Sequence, residues 1–362
     1  MTLKMRRHAM KLILPNDPAI RTMGRIDDTD PEHPVWVYPY TQAAFQFTGT
    51  SLHMRLINRR HYGGSHIGVY LDGQLSKIPI PEDGTVVTLR LADHLPDIEH
   101  EVVVYKRQDG QHYCQIEGFL VGDDAAIKGI PDEPYQRRIE IFGDSVSCGE
   151  RNEASLYVGK ADPEADLSSY SDSWRSYGAI AARALHAQLH DVSQGGIALL
   201  DGIGWFCEPN QVGMETMWKS MQYNPELGGT TPWDFSRYTP HVVVVAIGQN
   251  DAHPADFMAE DYMGDLANHW RSRYVDFLKS LRSVYPHAHI VCATTVLQHD
   301  PAWDHAIEEA VQTTGDNNIS HLVYSRNGSA TPGHPRIAEH EEMAAELVNH
   351  IESLGSMIWQ TR

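Results

Sequence analysis

The stretch Arg138-Ile-Glu-Ile-Phe-Gly-Asp-Ser-Val-Ser147 joins a short apolar strand to a turn that contains glycine and serine. The apolar residues predict a strand, and Gly143 and Asp144 predict the turn that follows it. A serine there can present its hydroxyl to a cleft while its own backbone N–H points the same way. Ser145 is therefore a candidate nucleophile for acyl transfer, although Gly-Asp-Ser also forms ordinary turns.

Two later segments supply candidate donors for an oxyanion. His190-Asp-Val-Ser-Gln-Gly-Gly-Ile197 predicts a strand that ends in a glycine pair, and a glycine N–H can face a developing negative charge. The register leaves Gly195 and Gly196 as alternatives, and an ordinary strand-to-helix turn explains the segment equally well. Val242-Val-Val-Val-Ala-Ile-Gly-Gln-Asn-Asp251 predicts a strand buried on both faces, which ends near the amide donor of Asn250.

A third segment, Thr331-Pro-Gly-His-Pro335, stands at the start of a helical pattern in which apolar residues recur every seven positions. Pro335 suits the first helical position, so His334 lies at the mouth of the helix and can project toward the strand ends. The chain has 21 histidines. His334 is the candidate general base because of its place in this ordered series.

Composition narrows the class of protein. The 362 residues are 41% hydrophobic and 21% charged, as expected of two globular domains. A net charge of −19 argues against nucleic acid and anionic membranes as partners. The four cysteines lack Cys-x-x-Cys spacing, so neither a zinc site nor a redox pair is supported. We expect that the protein needs no metal and no cofactor. The first 14 residues lack signal-peptide features, so a cytoplasmic protein is expected.

The pattern of apolar residues changes along the chain. Residues 34–121 hold short alternating runs with Asp-Gly turns, which predict seven or eight strands of a jelly-roll β-sandwich. The segment Gly129-Ile-Pro-Asp-Glu-Pro134 predicts a linker, and the expected domains are 1–130 and 131–362. The second domain alternates strands and helices, which predicts a flavodoxin-like α/β/α fold with a mostly parallel sheet.

The ordered series of motifs resembles the SGNH hydrolase superfamily over roughly residues 137–362. With a β-sandwich before it, and with Gly24-Arg-Ile-Asp27 and Phe47-Thr-Gly-Thr-Ser51, the chain is similar to carbohydrate esterase family 2. The resemblance implies that Ser145 is the nucleophile and His334 the general base. It also implies an oxyanion hole made by the N–H groups of Ser145 and Gly196 and by the Asn250 side chain.

The same resemblance implies a serine esterase that removes acetyl groups from saccharides derived from hemicellulose, such as mannan or xylan. The alternatives are an SGNH lipase or thioesterase acting on longer acyl chains, and a carbohydrate-binding protein without catalysis. The sequence indicates neither the preferred hemicellulose, the hydroxyl position, nor the oligomeric state.

One departure from the superfamily concerns the residue that orients His334. Thr331 stands where an aspartate usually precedes the histidine by three positions. Either a distant acid or a backbone carbonyl near Pro332 must therefore accept from the ring, and the carbonyl, which makes a Ser–His dyad, is favoured. The nearest upstream acids are Asp300, Asp304 and Asp316.

Residues 199–240 form a long insertion that is rich in aromatic residues. A loop of this length inside a compact domain is usually functional. One or two exposed tryptophans could stack on sugar rings, although packing against the sheet is the commoner role for any single one. The candidate substrate-binding residues are Trp205, Trp218 and Trp233.

Overall fold

A computed structural model describes residues 9–60, 62–81, 83–130, 135–223 and 230–360 of the chain. It contains two structural units, a β-sandwich followed by an α/β unit. Residues 131–134 of the predicted linker lie outside the described residues, between the last strand of the sandwich and the first strand of the α/β unit.

The sandwich consists of two six-stranded sheets with antiparallel pairing. Its strands are β1 (Met10–Ile13), β2 (Arg21–Met23), β3 (Ile26–Asp27), β4 (Val35–Trp36), β5 (Gln42–Gly49), β6 (Leu52–Arg59), β7 (His66–Leu71), β8 (Gln74–Pro79), β9 (Val86–Ala92), β10 (Ile98–Lys106), β11 (Tyr113–Gly122) and β12 (Ile127–Lys128). One sheet has the order β3-β4-β11-β6-β9, with β1 on β11, and the other β12-β5-β10-β7-β8, with β2 on β5.

Alternation along the strands explains the sandwich core. In β6, Leu52, Met54 and Leu56 are fully buried, while the residues between them are partly exposed. These side chains pack with Phe45 and Phe119 between the two sheets. The predicted jelly-roll sandwich is thus confirmed, with more strands than expected, because segments of two to four residues such as β3, β4 and β12 are too short to show alternation.

The second unit has a five-stranded parallel sheet of order β14-β13-β17-β18-β19. Its elements are β13 (Arg137–Gly143), α1 (Tyr177–Ala184), β14 (Ala187–Ser193), α2 (Met214–Met217), β15 (Ser220–Gln222), β16 (Thr231–Pro232), β17 (Val242–Ala246), α3 (Phe257–Glu260), α4 (Asp265–Val284), β18 (His289–Ala293), α5 (Ala302–Thr314), β19 (Ile319–His321) and α6 (Ile337–Ser353).

Two helical layers cover the parallel sheet. Helices α1 and α6 pack on one face, and α4 and α5 pack on the other. The central strand β17 is buried on both faces, which explains its unbroken run of valines. The predicted α/β/α fold is confirmed. Its sheet order places the carboxyl ends of β13, β14 and β17 side by side, where ligands of such sheets bind.

None of the helices in the described ranges combines the length and the apolar character that crossing a membrane requires.

Candidate active site

The turn after β13 presents Ser145. A side chain at Gly143 would place its Cβ 2.1 Å from the Ser147 hydroxyl, so the chain can turn closely there only with glycine. The Asp144 carboxylate accepts from the Val146 N–H at 3.0 Å and holds the turn. Within the described part of the chain, no group accepts from the Ser145 N–H. Ser145 therefore offers both a hydroxyl and a free donor to the adjacent cavity.

The glycine pair after β14 lies on the same cavity. The Gly195 N–H donates to the Asp109 carboxylate at 3.2 Å, so it is already engaged. Gly196 has a φ of +73°, and its carbonyl accepts from Trp205 N–H at 2.8 Å. No described residue accepts from the Gly196 N–H. Of the two glycines that the sequence left open, the geometry therefore favours Gly196 as the oxyanion donor.

Asn250 follows β17 and also lines the cavity. Its amide nitrogen donates to the Ile197 carbonyl at 3.1 Å and to the Asp144 carboxylate at 3.2 Å. Gln249 donates to the same carboxylate at 2.8 Å. Burial raises the pKa of Asp144 to about 6, so this carboxylate remains a charged acceptor at neutral pH. Asn250 must therefore share or release one of these bonds in order to donate to an oxyanion.

His334 is oriented by an acid that sequence reasoning missed. Its Nδ1 lies 2.5 Å from Oδ2 of Asp162, which also accepts from the His334 backbone N–H at 3.2 Å. Arg336 donates to the other oxygen of Asp162, and Arg151 lies 3.1 Å from Oδ2. Burial alone would raise the pKa of Asp162, but the hydrogen bond and charge of His334, together with Arg336, hold it far below its usual range.

The other ring nitrogen of His334, Nε2, is available to a substrate. Glu150 Oε2 is 3.9 Å away, too far for a hydrogen bond, and nothing else in the described ranges bonds to this nitrogen. His334 and Ser145 line one cavity of about 590 Å³. A fixed Nδ1 partner and an open Nε2 are what a general base beside a serine requires.

The β-sandwich forms part of the wall of this cavity. Tyr62, Asp109 and Gln111 come from the turns of the sandwich, whereas Trp205 and Leu297 come from the α/β unit. Burial, and after it the charge of nearby Glu150, raises the pKa of Asp109 to about 6. Charged and apolar side chains both line the cavity, which lies between the two units.

Comparisons with known proteins agree with this architecture. The family model described as "Carbohydrate esterase 2 N-terminal" matches residues 22–131. The chain is 26% identical over 352 residues to "Cellulase/esterase CelE" of Acetivibrio thermocellus, covering 93% of this chain and 40% of that protein. It is also 26% identical to the "Acetylxylan esterase / glucomannan deacetylase" of Cellvibrio japonicus, covering 94% and 90%.

A solved structure of a family two carbohydrate esterase from Cellvibrio japonicus superposes with a TM-score of 0.78 at 25% identity, covering 97% of this chain and 99% of that one. The resemblance to carbohydrate esterase family 2 that the motifs predicted is thereby confirmed, by a family model over the first unit and by relatives and structures that match most of the chain. The chain spans 40% of the length of the first relative and 90% of the length of the second.

The dyad that the sequence favoured is wrong, because His334 faces a carboxylate and not a backbone carbonyl. The three acids considered from the sequence lie elsewhere. Asp304 bonds to His299, Asp316 bonds to Arg282, and Asp300 accepts from the Ala302 N–H at the start of α5. Asp162 is 172 residues from His334, so no local spacing could have indicated it.

Gly333 explains how Asp162 can approach His334. A Cβ at this position would lie 2.5 Å from the Lys160 carbonyl and 2.8 Å from the Asp162 N–H. The loop before α6 can therefore approach the segment that carries Asp162 only with glycine there.

The three candidate sugar-stacking tryptophans have different surroundings. Trp205 is 56% exposed, lines the cavity and stacks on His253 with ring centroids 3.4 Å apart. Trp218 is only 9% exposed and packs edge-on against Phe142 in the core. Trp233 is 5% exposed and packs against Arg25. The prediction that they bind substrate is therefore wrong for Trp218 and Trp233, because their buried rings pack the insertion against the rest of the protein.

Over the ranges that the structure describes, no group of three or more histidine, cysteine or acidic residues is arranged to hold a metal ion.

Proposed function

We propose that this chain is a serine acetyl esterase that removes O-acetyl groups from saccharides derived from hemicellulose. The observation that carries the proposal is the meeting of Ser145, the His334–Asp162 pair and the Gly196 N–H around one cavity. The name of the Cellvibrio japonicus relative, which covers 94% of this chain, supports acetylated xylan or glucomannan as the substrate class.

The geometry supports a two-step acyl transfer. His334 Nε2 takes the Ser145 proton, and Ser145 Oγ attacks the acetyl carbonyl. The N–H groups of Ser145 and Gly196, with Asn250, hold the tetrahedral oxyanion, and a single such donor contributes roughly 3–4 kcal/mol. His334 then protonates the leaving sugar oxygen. Water repeats the sequence on the acetyl-enzyme, which releases acetate and restores Ser145.

Asp162 has a defined part in these steps. Its carboxylate keeps the His334 proton on Nδ1, so that Nε2 is the basic nitrogen in the resting site. It also stabilises the imidazolium that forms when His334 takes the Ser145 proton.

The charged side chains in the cavity wall disfavour long acyl chains. A lipase or thioesterase needs a continuous apolar tunnel, but Asp109, Glu150, Arg151 and Asp162 all line this cavity. The wall accommodates a short acyl group, and exposed Trp205 offers a flat face to a sugar ring.

Acetate release, followed by NMR of its methyl signal, tests the proposal on acetylated mannan and xylan oligosaccharides side by side. The wild-type chain is expected to release acetate, and Ser145→Ala to lower the rate by roughly 10⁴-fold or more. Ser155→Ala, an exposed serine further along the same loop, is the matched control and should behave as wild type. Wild-type turnover by Ser145→Ala would refute this active site.

The same assay separates the alternatives. Faster cleavage of an octanoyl than an acetyl nitrophenyl ester would favour a lipase. Saturable binding of acetylated oligosaccharide without acetate release would favour a binding protein.

A further inference from the structure

We propose that Asp109, a residue of the β-sandwich, is a positioning residue for the oxyanion hole of the α/β unit. The inference rests on the proposed function, since an oxyanion forms only if the chain cleaves esters. Asp109 lies in the turn between β10 and β11, so by this inference the sandwich contributes to the geometry of the catalytic site.

The Asp109 carboxylate accepts hydrogen bonds from Gln194 and Gly195, the two residues that precede the oxyanion donor Gly196. Its Oδ2 accepts from the Gln194 side chain at 2.7 Å and from the Gly195 N–H at 3.2 Å. Its Oδ1 accepts from the Gln111 N–H at 3.2 Å, which fixes the carboxylate within its own turn. Asp109 is only 4% exposed, so these bonds are shielded from competing water.

The Gln194 side chain, which is fully buried, connects Asp109 to the peptide group that carries the oxyanion donor. Its Oε1 accepts from the Tyr223 hydroxyl, and its Nε2 donates both to Asp109 and to the Gly195 carbonyl, the latter at 3.1 Å. The amide is therefore held at both ends, and its orientation is set by groups from two parts of the fold.

This link sets the direction of the catalytic donor through peptide geometry. The Gly195 carbonyl and the Gly196 N–H belong to the same peptide group, and in a trans peptide they point in opposite directions. Gln194 holds the carbonyl on the protein side, so the Gly196 N–H points away from Gln194, and no described residue accepts from it. Because glycine restrains its backbone weakly, the outside contacts must supply the restraint.

An alternative role for Asp109 is only to join the sandwich to the α/β unit. A second contact between the two units, made by Glu153, separates this role from the positioning role. Glu153 of the α/β unit accepts from Arg107 at 2.8 Å and from Lys77 at 3.0 Å, both in the sandwich. This contact joins the same two units, through Arg107 of the same sandwich turn and Lys77 of β8, but does not involve the glycine pair. Glu153→Gln is therefore a matched control that weakens docking and leaves the oxyanion hole intact.

The experiment compares wild type, Asp109→Ala, Asp109→Asn and Glu153→Gln on 4-nitrophenyl acetate and on acetylated oligosaccharide, with thermal unfolding of each. Asp109→Ala is expected to lower kcat roughly 10²-fold on both esters with KM nearly unchanged, because the lost restraint acts in the transition state. Asp109→Asn keeps one acceptor oxygen and should lose about tenfold. Glu153→Gln should keep wild-type kcat.

The affinity for methylboronic acid, which forms a tetrahedral adduct on serine, gives a second measurement. A variant that only lowers the stability of the folded protein would not change this affinity. Its affinity should fall by the same factor as kcat in each Asp109 variant, and stay at the wild-type value in Glu153→Gln. If Asp109→Ala does not fold, the Asn variant carries the test.

Wild-type kcat in the Asp109 variants would overturn the inference, as would an equal loss of kcat in Glu153→Gln. Failure of the proposed function looks different, since the wild-type chain itself would then cleave neither ester.

Discussion

At the scale of single residues, the site depends on contacts that fix the direction of a few polar groups. His334 becomes a directed base because Asp162 holds Nδ1, and Asp162 is in turn held by Arg336 and Arg151. His334 and Arg336 keep the carboxylate ionised, and the two arginines hold it in place. The orientation of one ring thus rests on residues of the segment between β13 and α1 and on Arg336 at the start of α6.

Asp162→Asn should lower kcat by roughly 10²–10⁴-fold, because an amide can neither fix the Nδ1 proton nor stabilise the imidazolium. The measurement is steady-state hydrolysis of 4-nitrophenyl acetate. Asp300→Asn is the control, because that carboxylate accepts from the Ala302 N–H and an asparagine oxygen can accept the same bond. Unchanged kcat in Asp162→Asn would instead support the dyad with a backbone carbonyl.

At the scale of elements, the turns at the carboxyl ends of parallel strands carry the chemistry. The turn after β13 carries Ser145, the turn after β14 carries Gly196, and the turn after β17 carries Asn250. These strands are neighbours in the sheet, although β17 follows β14 by about fifty residues of insertion and loop. Their order in the sheet therefore explains why three separate motifs meet.

The turn after β14 can be tested with two glycines of positive φ. Gly196→Ala should cost about 1–2 kcal/mol of stability for its left-handed backbone, and should also lower kcat, because its Cβ would lie 2.8 Å from the Trp205 Cβ. Gly202→Ala is the control, because it introduces a similar backbone strain at a positive φ. Its new Cβ would have no neighbouring atom within 4 Å, so it adds strain without a clash.

Chemical unfolding and esterase rates of the two variants separate strain from catalysis. Both should unfold at lower denaturant concentration, and only Gly196→Ala should lose activity, by roughly 10²-fold if the oxyanion donor is displaced. Equal activity in the two variants would argue against Gly196 as a donor.

At the scale of the whole molecule, a buried ion pair joins the sandwich to the α/β unit. Arg25, between β2 and β3, donates to Glu140 of β13 at 3.0 Å and to the Trp218 carbonyl at 2.6 Å. Both side chains of the pair are fully buried. The same arginine lies over the rings of Phe142 and Trp233. Arg25 therefore connects the aromatic insertion to β13, the strand that leads to the nucleophile.

Arg25→Met should lower the free energy of unfolding by about 3–5 kcal/mol, because it leaves Glu140 as an uncompensated buried charge. The double variant Arg25→Met with Glu140→Met should recover much of that loss, since no charge then remains buried. Denaturant unfolding of the single and double variants measures both effects. A single variant as stable as wild type would show that the pair does not join the units.

The motifs and the fold class were open to prediction because they are local. Alternation in β6 and the valine run of β17 each report burial within one short segment, and they predicted the sandwich and the parallel sheet. The positions of Ser145 and His334 on one cavity followed from where strands end and a helix begins. Short edge strands escaped prediction because two residues carry no period.

What the sequence determined by itself was the kind of element each segment forms and the ordered set of reactive groups at their ends, because periodicity and turn chemistry act between near neighbours. Only the tertiary structure decided which acid meets His334, which glycine keeps a free N–H, and that Trp218 is buried while Trp205 faces the cavity. These choices depend on contacts between segments far apart in the chain, whose meeting is set by packing and not by spacing.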